Sequence, residues 1–163
     1  LQIVTPTILN GNQYVDYTIA SIDDTKSVLF LLGCNPVNND SRNFMHYFSI
    51  QNSTTLRLYR VAAPALGDLI AHAFILEFDP AFIASLQIKS FSLPQGDAQI
   101  LVPIDAVDLS KTVIFPSGQR SYLNVTADIY LLRADLQNNT TLRLRRNTTG
   151  GSLDGQIRVV EFI

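Results

Sequence analysis

The chain has 163 residues, 47% of them apolar and only 16% charged, with a formal net charge of −2; average soluble domains carry roughly 25% charged residues. A balance this close to neutral offers no electrostatic footprint for a phosphate backbone, so nucleic acid is not an expected partner. No run reaches the about 18 apolar residues of a membrane span, because the most apolar stretch, residues 71–78, is interrupted by His72 and Glu77.

In chain order, Gly11-Asn12-Gln13 is a turn that leads into Tyr14-Val15-Asp16-Tyr17-Thr18-Ile19, a period-two stretch that predicts a strand. Residues 27–32 predict a buried strand, ended by Gly33 and the turn formers Asn35-Pro36 and Asn38-Asn39-Asp40. Strands over 44–50, 54–60 and 69–78 follow. Ala, Leu and Ile in 64–75 are compatible with helix, but the corresponding stretch later in the chain holds Gly150-Gly151, so a hairpin connection is expected in both places. Further strands are predicted over 98–104, 112–115, 123–132, 140–146 and 155–162. The intervening residues 80–85, Pro80-Ala81-Phe82-Ile83-Ala84-Ser85, are short and apolar, unlike a flexible Gly/Ser linker.

These elements repeat at a shift of about 85 residues. Leu1-Gln2-Ile3 returns as Leu86-Gln87-Ile88, Gly11 as Gly96, Asp23 with Lys26 as Asp108 with Lys111, and Gly33 as Gly118. Thr54-Thr55-Leu56-Arg57-Leu58 with Arg60 returns as Thr140-Thr141-Leu142-Arg143-Leu144 with Arg146, and Ile75-Leu76-Glu77-Phe78 as Val159-Val160-Glu161-Phe162. The small changes in shift fall between matched runs, where loops tolerate them. The expectation is therefore an all-β chain of two tandem, similar antiparallel β-sandwich or small-barrel modules, at 1–79 and 86–163, with a connector at 80–85. Phe82 and Ile83 are expected to pack between the modules. Leu56, Leu58, Leu76 and Phe78, with Leu142, Leu144, Val160 and Phe162, are the expected core.

Alternation places the leucines of Leu56-Arg57-Leu58 on one face and the arginine on the other. If the following strand returns as a hairpin, Arg57 lies across from Glu77 and Arg143 across from Glu161, as structural ion pairs with turns near Gly67 and Ser152. Asp23 and Asp108 fit a turn in which the carboxylate holds local amides better than a calcium loop, whose Asp/Asn/Gly pattern is missing. His46 and His72 have no zinc-like ligand spacing around them, and Cys34 has no cysteine to pair with inside the chain. No nucleophile elbow or phosphate-binding glycine loop is present, so neither an enzyme nor a cofactor site is expected. Sequons at Asn39, Asn52, Asn124, Asn138, Asn139 and Asn147 sit in Asn/Thr-rich turns, where the same residues are favoured for backbone reasons. The opening residues lack the pattern of a secretory signal, and the chain starts with Leu, which leaves secretion open.

With its Asp-x-x-Lys lead-in, its Thr-Thr-Leu-Arg-Leu-x-Arg strand and its closing Val-Val-Glu-Phe, the chain resembles β-rich modules of tailed-bacteriophage structural proteins. That resemblance implies a virion component, either a head decoration or cement protein or a part of the tail. The implied partners are copies of the chain itself and a capsid or tail protein. The alternative is a receptor-binding component with a carbohydrate-binding β-sandwich; against it, the chain has no Trp, and most of its aromatics lie in strand-like stretches. A chain this apolar, with lysine only at 26, 89 and 111, is also expected to act as a homo-oligomer or larger assembly.

Overall fold

The computed structural model describes residues 1–36, 46–60, 67–121, 132–147 and 151–163, without the side chains of 34–36 and 120–121. Outside this set lie residues 44–45 and 123–131 of two expected strands, the expected turn residues 38–40, Gly150, and the sequons at Asn39 and Asn124. The described residues are all-β, apart from two short 3-10 turns at Asp24–Lys26 and Leu109–Lys111. The first half contains β1 (Gln2–Val4), β2 (Thr7–Ile8), β3 (Tyr14–Thr18), β4 (Ser27–Pro36), β5 (His46–Asn52), β6 (Thr55–Arg60) and β7 (Leu69–Glu77). The second contains β8 (Ile83–Leu93), β9 (Gln99–Pro103), β10 (Thr112–Ser121), β11 (Arg133–Asn138), β12 (Thr141–Arg145) and β13 (Leu153–Phe162).

In the first half β7 runs between β4 on one edge and the successive strands β1 and β2 on the other, while β6 runs between β3 and β5. The second half repeats the plan with β13 between β10 and β8, and β12 between β11 and β9. The registers repeat as well. Val15↔Leu58 and Asp16↔Arg57 return as Ile100↔Leu144 and Leu101↔Arg143. Val28↔Leu76 returns as Val113↔Val160, and Gln2↔Ile75 as Gln87↔Val159. Pro6, which has no N–H to give to a ladder, separates β1 from β2, where β8 runs through unbroken.

Each half closes its own core at matching positions. Ile19, Ile22, Leu56, Leu58, Ala73 and Ile75 meet in the first, and Ile104, Val107, Leu142, Leu144, Ile157 and Val159 in the second. Polar side chains brace the ends in the same way twice. The Gln2 amide accepts from the Ala20 N–H at 2.9 Å and donates to the Ala20 carbonyl at 3.0 Å, and Gln87 does the same with Asp105 at 2.7 and 3.0 Å. Asp23 and Asp108 cap the 3-10 turns, accepting from the Thr25 and Ser110 amides at 3.0 and 2.9 Å. Asn52 and Asn138 hold the β-turns before β6 and β12 by accepting from the Thr54 and Thr140 amides. Arg60 donates to the carbonyls of Asn12, Gly67 and Leu9, and Arg146 to those of Asp97, Gly151 and Pro94.

Three expectations are corrected. Ile83 to Ser85 are not connector: they begin β8, which the sequence reading passed over, and pair with β13 through Ile83↔Phe162 and Ser85↔Glu161. The strands after Arg60 and Arg146 do not return as hairpins, because β6 and β7 belong to different sheets, as do β12 and β13. Finally, Leu76, Phe78 and Phe162 are only half-buried and join neither core, while Val160 is fully buried as expected but on the side away from the core of its half. Ile75 and Val159 take the inward positions there, so the opposite set faces away from the core of its own half.

Candidate functional site

The outward faces of β4, β7, β10 and β13 meet at a seam between the halves. Phe30 stacks on Phe74 at 4.5 Å and sets its edge against Phe115 at 5.2 Å, while Phe78 meets Phe162 edge-on at 5.6 Å. Val28 and Val160 are fully buried without joining either core. Arg158, opposite Phe115 in the β10–β13 ladder, is fully buried on the same face. Its Nη1 donates to Ser117 Oγ at 2.9 Å, and its Nε and Nη2 have no hydrogen-bond partner. Burial pushes its pKa down to about 10, against the field of Asp24.

Among the described residues one backbone bridge, Gly118↔Tyr47, fuses β10 of the second half to β5 of the first and makes a continuous six-stranded sheet, β3-β6-β5-β10-β13-β8. Gly118 sits in a bulge at φ +92°, and a Cβ there would stand 2.4 Å from the His46 carbonyl oxygen. Among the described residues the reciprocal junction is not seen: β4 and β11 lie in separate sheets. An apolar cleft of about 560 Å³ lies at this position, with Leu29, Phe30 and Leu31 on one side and Leu132 and Ala134 on the other.

The residues singled out in the sequence fall elsewhere than expected. Arg57 does not pair with Glu77; its Nε and Nη2 clamp Asp16 of the neighbouring β3 at 2.5 and 2.7 Å, and this holds the Asp16 carboxyl below its ordinary pKa. Arg143 does not pair with Glu161 but with Asp135 of β11, at 3.0 and 2.8 Å. Arg143, with Arg145 and Arg133 adding their charges, brings the Asp135 pKa down to about 2. Glu77 and Glu161 instead accept from the backbone N–H of Asp23 and Asp108 at 3.2 and 2.8 Å, tying the 3-10 turns to β7 and β13. Phe82 is not packed between the halves: it is 65% exposed, and Ile83 is half-buried in β8.

Two exposed features remain. β8 has eleven residues with a single charge, Lys89, and among the described residues no strand pairs with its outer edge. At the end of the sheet where β8 and β10 begin and β13 ends, Phe82, Leu109 and Val113 are exposed. Among the described residues no group of His, Cys, Asp and Glu is placed to hold a metal, and no helix is long and apolar enough to cross a membrane. No known protein family and no curated protein matches the sequence.

Proposed function

We propose that this chain is a structural component of a tailed-bacteriophage particle, most simply a decoration or cement protein of the head. In this reading it works through protein–protein contacts and needs no cofactor. The observation that carries the reading is the long, nearly uncharged outer edge of β8 beside the exposed Phe82, Leu109 and Val113. Solution monomers normally blunt such edges with charge, bulges or proline, because an unpaired strand is a template for another chain. A partner or second copy that covers the edge and the apolar end would remove both from water.

Sedimentation of the purified protein, alone and with phage heads and tails that lack it, tests the reading. Self-association or co-sedimentation that is lost in Val113→Asp and Ile88→Lys supports it, since both side chains are exposed. A monodisperse monomer that joins neither heads nor tails overturns it. A tail or receptor-binding component with a carbohydrate-binding β-sandwich is the second reading, favoured by Tyr47 of β5, Tyr59 of β6 and Tyr14 of β3, which line up on the outward face of the first half.

A further inference from the structure

We propose that the open groove on the outward face of the six-stranded sheet, where β5 and β6 of the first half stand across β10 from β13 and β8 of the second, binds a neutral saccharide. The groove encloses about 560 Å³, within the range of small-ligand sites. One wall is aromatic. Tyr47 and Tyr59, a cross-strand pair, stack with ring centroids 4.8 Å apart and planes 13° apart. Tyr14 extends the row at 6.1 Å from Tyr59. Arg57 fixes that end, with its guanidinium 4.3 Å over the Tyr14 ring while it is clamped to Asp16.

The other wall is polar. Asp154 and Gln156 of β13 stand beside Ser92 and Ser90 of β8 in register. Gln156 is only 9% exposed; its Nε2 reaches Ser49 Oγ across the groove at a long 3.4 Å, and its Oε1 has no hydrogen-bond partner. An aromatic wall facing serine hydroxyls, an amide and one carboxylate suits a sugar. A pyranose ring offers an apolar C–H face to stack on tyrosine and hydroxyls that both donate and accept. Among the described side chains no Lys or Arg lines the groove and Asp154 does, which favours a neutral over an anionic ligand. Side chains rather than a free strand edge form its walls, which disfavours an added peptide strand.

The two halves diverge at these positions. Where the first has Tyr14, Tyr47, Ser49 and Tyr59, the second has Gln99, Arg133, Asp135 and Arg145, while the inward-facing Leu56 and Leu58 are matched by Leu142 and Leu144. The same strand framework stands without the tyrosines, so packing does not require them.

The inference does not rest on the assembly reading. The test is an array of neutral oligosaccharides built from hexoses and N-acetylhexosamines, probed with the intact chain and followed by calorimetric titration of the best binder. Because the chain has no Trp and Tyr14, Tyr47 and Tyr59 are three of its six Tyr, the difference in tyrosine fluorescence change between the parent and Tyr47→Ala reports on the wall. Tyr47→Ala and Ser90→Arg are each expected to weaken binding by roughly tenfold or more. Arg133→Ala, at the matching place in the other half, should leave binding unchanged. Ser90 is exposed, so Ser90→Arg blocks the groove in a folded protein and decides the matter even if Tyr47→Ala unfolds. No binding at millimolar sugar, binding that survives Ser90→Arg, or binding confined to charged glycans would overturn the proposal. Binding is read on the isolated protein, so its failure leaves the assembly reading intact, and a monomer that ignores phage particles leaves the groove intact.

Discussion

Arg60 and Arg146 end their Leu-Arg-Leu-x-Arg strands with a guanidinium wrapped in three main-chain carbonyls, whereas Arg158, buried as deeply, donates only to Ser117 Oγ. The difference decides what each is worth. A hydrogen bond to a charged donor contributes roughly 1.5–3 kcal/mol, so Arg60→Met, which removes three that tie Leu9, Asn12 and Gly67 together, is expected to destabilise by about 3 kcal/mol or more. Removing a buried charge whose partners are missing relieves desolvation instead. Arg158→Met, similar in volume and set among Phe115 and Val160, is therefore expected to fall within about 1 kcal/mol of the parent or to be more stable. Urea unfolding of the two variants at neutral pH checks this, and equal losses would show that Arg158 has a partner as good as the carbonyl cage.

At the level of elements, what the sequence made legible was parity, and what it hid was adjacency. The alternation Leu56-Arg57-Leu58 correctly set the leucines against the core, yet Asp16 and Glu77 are both acceptable partners for an arginine on the far face. Only the order β3-β6-β5 selects Asp16. Arg57 and Glu77 recur together in the second half because each serves a separate repeated device, a strand clamp and a turn tie. The tyrosine wall was missed for a related reason: single aromatics in strands read as core, and only a comparison of matched outward positions separates Tyr47 from Arg133. The capping aspartates and the clamped Asp135 also contribute to the acid response. Lys26 first, and then Thr25, bring the Asp23 pKa down to about 2, and the Ser110 hydroxyl and amide lower that of Asp108. An aspartate is near 3.9 in the unfolded chain. The stability these groups supply is therefore complete above about pH 5 and is lost as the pH falls through 4 toward 2. Asp23→Asn with Asp135→Asn should flatten that fall, seen as a smaller difference between urea midpoints measured at about pH 6 and about pH 3. An unchanged difference would place the acid sensitivity in other carboxylates.

Across the whole molecule, two halves with separate cores are joined by an aromatic seam and by a backbone bridge at Gly118. The repeat supplies its own control, because Gly33 occupies the matching bulge in β4, also with positive φ, where an added Cβ meets nothing within 4 Å among the described residues. Any side chain at either site carries the strain of a left-handed backbone, roughly 1–3 kcal/mol. At Gly118 the new Cβ would in addition collide with the His46 carbonyl and prise β10 from β5. If the bridge couples the halves, the parent unfolds in one cooperative transition and Gly118→Ala lowers the melting temperature clearly further than Gly33→Ala, broadening or splitting the transition as one half loosens from the other. Differential scanning calorimetry of the three proteins distinguishes the cases. Two resolved transitions in the parent, or equal shifts for the two glycine variants, would mean that each half stands on its own core and that the six-stranded sheet is held by Phe30, Phe78, Phe115 and Phe162 without help from the Gly118 bridge.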